Sequence, residues 1–196
     1  YNVGAPMYLK DRVAVIGQGQ DSTRLYGFEG LASFFVVPHD SSTIKGIAFH
    51  GNSADNAIWA VETLPFPKNT VLTVEDCYFT RCKYEYVFFV QGRELTVRNC
   101  HFSGFSYGAI QVDGFGGGYA TGTYTIENCV FFSLSFPLAV IEFREVAGDR
   151  IIRNCEFYPT AYISIEDDNC FGSMHVENCA FMSAGAGYKS IWCNAD

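Results

Sequence analysis

Basic residues are scarce in this chain. Its 196 residues include 13 Lys and Arg against 21 Asp and Glu, so the formal net charge is −8 at pH 7. Nucleic acids and anionic membrane surfaces are bound by clustered basic side chains, and this balance argues against both partners. No apolar run approaches the roughly 18 residues of a membrane span. Because 48% of the residues are hydrophobic and only 17% are charged, we expect one folded domain over residues 1–196.

Several motifs of enzyme and metal chemistry are also absent. The chain has no CxxC pair, no Cys/His spacing suited to zinc and no GxSxG. A GxG at Gly17 and Gly19 lacks both the third glycine and the following helix of a dinucleotide site, so it predicts a tight turn. The four histidines are dispersed, which disfavours a His-based catalytic pair. We therefore expect no metal and no cofactor.

A repeated motif stands out against these absences. An aliphatic residue is followed by Asn or Asp, Cys, any residue and Phe, and successive Asn/Asp positions are separated by 23, 29, 26 and 24 residues. A period of this length is typical of a solenoid. The copies are TVEDCYF (73–79), TVRNCHF (96–102), TIENCVF (125–131), IIRNCEF (151–157) and HVENCAF (175–181).

Each repeat predicts three short strands. The second ends at the Asn/Asp, which tolerates the left-handed bend, and the third begins at Cys-x-Phe. Three strands per turn stack into an all-β parallel β-helix of about seven turns, with Asn and Cys ladders. IKGIAF (44–49) fits an earlier turn if Ile47 takes the Cys position. The first strands are expected at 57–62, 86–91, 109–113, 138–143 and 162–167.

Five of the eight cysteines occupy the same repeat position, which predicts a buried column of small hydrophobic side chains. Cys82, Cys170 and Cys193 lie outside this column. We expect mostly free thiols and therefore assembly in a reducing cytoplasm. The column comprises Cys77, Cys100, Cys129, Cys155 and Cys179.

The repeats resemble the right-handed single-stranded parallel β-helices of the pectin-lyase-like superfamily over essentially the whole chain. The opening strand, then GQG and DSTRL, resembles the entry turns of bacteriophage tailspikes, many of which depolymerise surface polysaccharide. The resemblance implies a homotrimer on a phage tail, assembled in the host cytoplasm and acting outside the cell. The chain lacks the RxPxxR of pectate lyases and the GHG of polygalacturonases, so neither activity is carried over.

The ends of the chain suggest part of a longer polypeptide. The first residue is Tyr rather than Met, and SIWCNAD (190–196) contains no polar capping segment. A solenoid exposes the edges of its last turn unless something covers them. We therefore expect residues outside this chain, or partner chains, to cover that end.

Acidic residues recur after the first strands. If Val61, Val90, Val112, Ile141 and Ile165 point inward, then Glu62, Gln91, Asp113, Glu142 and Glu166 follow them on one outer face. Stacking places neighbours about 5 Å apart, and their repulsion raises at least one pKa. A protonated carboxyl beside an ionised one suits cleavage of a glycosidic bond, with retention at about 5 Å and inversion at larger separations. The candidate catalytic residues are Glu142 as proton donor, Glu166 and Asp113.

Further residues expected to bind substrate are Glu62 and Gln91 on this face and Asp167 in the acidic run 166–168. The aromatic side chains of Phe115 and Tyr119 in the glycine-rich loop 113–124 are expected to join them. An acidic stripe can equally provide only solubility or bind a cation. The leading hypothesis is a tailspike-like β-helix that cleaves bacterial surface polysaccharide as a hydrolase or lyase. The alternatives are a non-catalytic carbohydrate-binding or structural virion module, and a secreted microbial carbohydrate-active enzyme.

Overall fold

The computed structural model describes residues 1–10, 12–27, 33–37, 41–51, 59–63, 70–81, 86–90, 93–105, 108–114, 120–132, 139–158, 163–182 and 187–194. Within these ranges the regular elements are β-strands. No helix in this part of the chain is long and apolar enough to cross a membrane.

The described strands form three parallel sheets, and every third strand along the chain joins the same sheet. Sheet A contains β1 (Asn2–Val3), β4 (Arg24–Gly27), β7 (Ala48–His50), β10 (Tyr78–Thr80), β13 (His101–Ser103), β16 (Val130–Phe132), β19 (Glu156–Tyr158) and β22 (Ala180–Phe181). Sheet B contains β2 (Met7–Tyr8), β5 (Ser33–Val37), β8 (Trp59–Thr63), β11 (Tyr86–Val90), β14 (Gly108–Asp113), β17 (Ala139–Arg144), β20 (Ile163–Asp168) and β23 (Lys189–Asn194). Sheet C contains β3 (Ala14–Ile16), β6 (Ser41–Lys45), β9 (Val71–Glu75), β12 (Glu94–Arg98), β15 (Thr123–Glu127), β18 (Asp149–Arg153) and β21 (Met174–Glu177).

The predicted all-β parallel solenoid is confirmed. About five turns carry the repeated motif, against the expected total of about seven, and strands of looser sequence extend the sheets at the N-terminal end. The predicted alignment of the earlier turn is also correct, because Phe49 lies in register with Phe79.

The Asn/Asp of each motif makes the bend from sheet C to sheet A. All five have positive φ angles of 51–54°, where most residues with a side chain are strained and Asn and Asp are tolerated. The side chains also bond along the ladder, since Asn99 Nδ2 donates to Asp76 Oδ1 at 3.0 Å and Asn128 Nδ2 donates to Asn99 Oδ1 at 3.2 Å. The motif therefore fixes both the bend and the stacking of successive turns.

The Phe of each motif forms a continuous stack inside the solenoid. Consecutive ring centroids are 4.8–5.0 Å apart with interplanar angles of 8–16°, which is the spacing of neighbouring strands in a sheet. Aromatic contacts of this kind stabilise a core beyond the area that they bury. The stack consists of Phe49, Phe79, Phe102, Phe131, Phe157 and Phe181.

Charged side chains of alternating sign cross the outer face of sheet C in register. Lys45 Nζ lies 3.0 Å from Glu75 Oε2, and Arg98 pairs with the other oxygen of Glu75. Burial raises the pKa of Glu75, but hydrogen bonds from these two cations outweigh burial and hold the pKa below its ordinary value. A shift in register would separate these opposite charges, so the column favours the observed pairing. It runs Lys45, Glu75, Arg98, Glu127, Arg153 and Glu177.

Thiol accessibility tests the cysteine column. Four members of the column, Cys77, Cys100, Cys129 and Cys155, are buried free thiols as expected. The fifth, Cys179, is only partly buried, and Cys193 is exposed. We expect a thiol reagent to modify Cys193 in the native protein and the four buried residues only on unfolding, with mass spectrometry locating each label. Rapid native labelling of the four buried thiols would show that the repeat is stacked differently.

A second test concerns the loop that leads into sheet C, where the backbones of successive coils of the solenoid nearly touch. A Cβ at Gly122 would lie 1.5 Å from the carbonyl oxygen of Arg93, so the backbone must move to accept any side chain. We expect Gly122→Ala to lower the free energy of unfolding by about 3 kcal/mol in urea denaturation. Gly4→Ala is the control, because no described atom lies within 4 Å of its added Cβ, and it should stay within about 0.5 kcal/mol of wild type. Equal effects of the two changes would contradict this packing.

Candidate functional site

The outer face of sheet B brings two of the predicted catalytic carboxyls together. Glu142 of β17 and Glu166 of β20 are cross-strand neighbours in a parallel ladder. Their Cα atoms are therefore separated by about one strand spacing, roughly 4.8 Å. Gln111 of β14 precedes Glu142 in the same column, and Trp192 of β23 follows Glu166. The flanking residues Ile141 and Ile165 point into the core and fix the outward direction of both carboxyls.

Glu142 is held by two hydrogen-bond donors. Gln111 Nε2 donates to its Oε2 at 3.2 Å, and Arg144 Nη2 donates to its Oε1 at 2.5 Å. Arg144 follows two residues later and so shares the outer face. Only 3% of Glu142 is exposed, and at this depth a carboxylate needs such partners.

Glu166 lies in a different environment, half-buried beside Glu142. Burial raises the pKa of Glu166, and the negative charges of Glu142 and Asp168 raise it further. Arg144 and Lys189 act in the opposite direction without cancelling the rise. A carboxyl with a raised pKa beside a second carboxyl one turn away is an arrangement that acid catalysis can use.

The expected assignment of proton donor changes as a result. Glu142 was expected to be flanked by acidic side chains on both sides, but its neighbours in the column are Gln111 and Glu166, and Arg144 pairs with it. The raised pKa belongs to Glu166.

The predicted acidic ladder is wrong in its register. Asp113 lies opposite Arg144, one position along the outer face from the column of Glu142. Glu62 lies opposite Phe89 of β11, so Gln91 does not occupy the position between Glu62 and Asp113. The displacement is two residues, and a shift of two keeps every side chain on its expected face. The alternation of inward and outward residues therefore could not reveal this displacement.

Asp113 is connected to Glu142 through Arg144, which lies opposite Asp113 and pairs with Glu142. It is 4% exposed, and its register neighbour Arg144 is followed in the same column by Asp168. Asp168 also accepts a hydrogen bond of 3.2 Å from Asn194 Nδ2. Arg144 is thus the cation at the centre of this group of acidic side chains. Its place two residues after Glu142 was visible in the sequence, and we missed it.

Asp167 does not belong to the outer face. It lies in register with the core residue Phe143, and its Oδ2 is 3.0 Å from Nη2 of Arg150, which is 2% exposed. Arg150 Nη1 also donates to the carbonyl oxygens of Gly148 and Phe171, both at 2.6 Å. The expectation of a substrate-facing Asp167 is therefore replaced by a buried ion pair inside the solenoid.

The other predicted substrate contacts cannot be placed. Gln91, Phe115 and Tyr119 lie outside the described residues, and for Glu62 the structure describes the backbone but not the side chain. Among the described residues, no group of three or more His, Cys, Asp and Glu side chains has the arrangement of a metal site.

We found no protein-family model and no curated protein that matches the chain.

Proposed function

We propose that this chain is a tailspike-like β-helix that binds bacterial surface polysaccharide and cleaves it at Glu142 and Glu166. One observation carries the proposal. Two carboxyls stand on adjacent turns of a rigid sheet, Glu142 with two donors and Glu166 with a raised pKa. Most glycosidases place two carboxyl groups with unequal proton affinity beside the bond to be broken.

The roles follow from these environments. Glu166 gives its proton to the oxygen of the leaving sugar as the glycosidic C–O bond breaks. Glu142, ionised, attacks the anomeric carbon and forms a covalent glycosyl ester. Glu166, now a carboxylate, takes a proton from water, which hydrolyses the ester. If the two carboxyl groups keep the spacing of their strands, about 4.8 Å, their separation is close to the roughly 5 Å of retaining enzymes, and the anomeric configuration is then retained.

The burial of Glu142 favours the second candidate, a non-catalytic carbohydrate-binding or structural virion module. Glu142 is 3% exposed, whereas a nucleophile must reach the anomeric carbon of the substrate. In this alternative Glu142 and Arg144 only stabilise the face of the sheet, and Glu166 with the neighbouring polar side chains contacts sugar hydroxyls.

Incubation with a panel of bacterial capsules and O-antigens separates the two candidates. Release of short oligosaccharides with new reducing ends supports the enzyme, and proton NMR of the first products reports whether the anomeric configuration is retained. Binding without release supports the module. Neither release nor binding across a broad panel would contradict both the enzyme and the carbohydrate-binding module, and would leave the structural virion module.

The setting of the molecule is part of the same proposal and rests on the resemblance to tailspikes. We propose a homotrimer on the tail of a virion, assembled in the host cytoplasm and meeting its polysaccharide outside the cell. Sedimentation equilibrium of the chain over a wide concentration range tests the trimer. A monomer at every concentration would contradict it for this chain.

A further inference from the structure

Two donors fix the carboxylate of Glu142 at both of its oxygens. Gln111 reaches Oε2 from β14 on the adjacent turn of the solenoid, and Arg144 reaches Oε1 from β17, the strand of Glu142 itself. The terminal torsion of a glutamate is broad, so a carboxylate held at one oxygen can still rotate. Donors at both oxygens, from two directions, oppose that rotation. The plane of the Glu142 carboxylate is therefore set by its neighbours.

The two donors differ in their exposure to solvent. Gln111 is 5% exposed and the side chain of Glu142 is 4% exposed, so the hydrogen bond between them is made away from water. Removal of one partner from such a bond leaves a buried polar group unsatisfied. The side chain of Arg144 is 46% exposed. Gln111 thus supports Glu142 from within the face of the sheet, and Arg144 supports it at the surface.

Arg144 lies among acidic side chains. Its register neighbours in the outer column are Asp113 and Asp168, and Glu142 and Glu166 follow one another in the column beside it. Like charges this close repel one another. The positive charge of Arg144 therefore compensates several carboxyl groups at once, and its loss would increase the repulsion between them.

An ion pair on sheet C has similar exposure but different surroundings. Arg153 Nη2 lies 2.6 Å from Glu127 Oε2, and the side chain of Arg153 is 44% exposed. In that column the charges alternate, so Glu127 lies between Arg98 and Arg153 and keeps a cationic neighbour when Arg153 is replaced. The column of Arg144 has an acidic residue on each side instead. Arg153 is therefore the matched control for Arg144.

We propose that Gln111 and Arg144 are positioning residues of the site at Glu142 and Glu166. Gln111 holds the Glu142 carboxylate in the plane from which it attacks the sugar. Arg144 holds the other oxygen and limits the repulsion that Glu142 exerts on Glu166. Neither donor exchanges a proton or forms a bond with the sugar. The assignment rests on the proposed function, since it presupposes a reaction at the two glutamates.

Carboxyl carbon NMR of the complete chain tests Arg144 without a substrate. Burial and the charges of Glu142 and Asp168 raise the pKa of Glu166, and the charges of Arg144 and Lys189 lower it. Arg144→Gln should therefore shift the pKa of Glu166 upward, and Arg144→Lys, which keeps the charge, should return it toward the wild-type value. An unchanged pKa in folded Arg144→Gln would overturn the role of Arg144, whether or not a glycan is cleaved.

Arg153→Gln completes this experiment. It removes an equally exposed cation from sheet C and should leave the pKa of Glu166 unchanged. On a polysaccharide that the chain cleaves, Arg144→Gln should also move the alkaline limit of activity to higher pH, because Glu166 must be protonated to donate. Equal effects of Arg144→Gln and Arg153→Gln on the pKa would show that the net charge of the chain, and not the placement of Arg144, is responsible.

Turnover tests Gln111. Gln111→Met removes the donor while keeping a side chain of similar length, so we expect kcat to fall roughly 10–10²-fold with little change in KM. Gln111→Asn, which keeps the amide but shortens its reach, should show the same kind of loss, and circular dichroism establishes folding of both. Wild-type kcat in either folded variant would overturn the role of Gln111. Absence of cleavage across the polysaccharide panel would contradict the proposed function and, with it, the positioning of an attack.

Discussion

Replacement of Asp167 with alanine is expected to lower the free energy of unfolding by about 3–5 kcal/mol. The change leaves the guanidinium of Arg150, which is 2% exposed, without its carboxylate partner inside the solenoid. Its two backbone carbonyl acceptors remain, but they carry no compensating charge. Urea denaturation followed by circular dichroism measures the loss.

Asp168 provides the control for this prediction. It is the next residue along β20, and alternation places it on the outer face, where it contacts Asn194. Asp168→Ala should therefore cost no more than about 1 kcal/mol. The double change Arg150→Met with Asp167→Leu removes both charges and should recover most of the stability lost in Asp167→Ala. Equal losses for Asp167→Ala and Asp168→Ala would contradict the buried pair.

The second large effect concerns turnover of polysaccharide. If the chain cleaves a glycan, Glu166→Gln should reduce the rate roughly 10²–10⁴-fold, because the amide has no proton to give to the leaving group. Glu142→Gln should cause a comparable loss by removing the proposed nucleophile. Initial rates of reducing-end release from a cleaved polysaccharide measure both.

Glu177→Gln is the matched control for these variants. Glu177 lies on the outer face of sheet C at the end of the charged column, away from sheet B. Its replacement should leave the rate unchanged. Full activity in both Glu142→Gln and Glu166→Gln would show that the reacting groups lie in another part of the chain or at an interface between chains.

The repeat itself was predictable because its positions have strict physical requirements. Only a few residue types accept the positive φ between sheets C and A, and a column that stacks at the strand spacing repeats the same core side chain. Phe49 could be placed from a loose match for this reason, and its register with Phe79 is confirmed.

The register of sheet B could not be predicted in the same way. Eight residues separate Phe102 from Ile110 and also Phe157 from Ile165, but ten separate Phe131 from Ile141, although each pair joins the same two columns. Loops between the sheets differ in length, so the motif does not fix where the next strand pairs. Alternation then fixes which face of the sheet each side chain occupies, but it does not exclude a shift of two residues in the register of the strand.

The buried ion pair shows a different limit. Asp167 shares the alternation of Ile163 and Ile165, so the pattern itself placed it inward, but its position in the acidic run 166–168 led us to predict a substrate contact. Its partner Arg150 comes from sheet C, 17 residues earlier. A pairing across the core depends on the closed shape of the solenoid, which no local pattern specifies.

The proton affinity of Glu166 tests the central claim most directly, since it requires no substrate. Carboxyl carbon NMR of wild type and Glu142→Gln reports the pKa of Glu166 in each. In wild type we expect a pKa above the ordinary glutamate value, because burial and the charges of Glu142 and Asp168 oppose ionisation. Removal of the Glu142 charge should lower this pKa, while burial and Asp168 keep part of the rise. An ordinary pKa in wild type that does not change in Glu142→Gln would show that the two carboxyls are not neighbours.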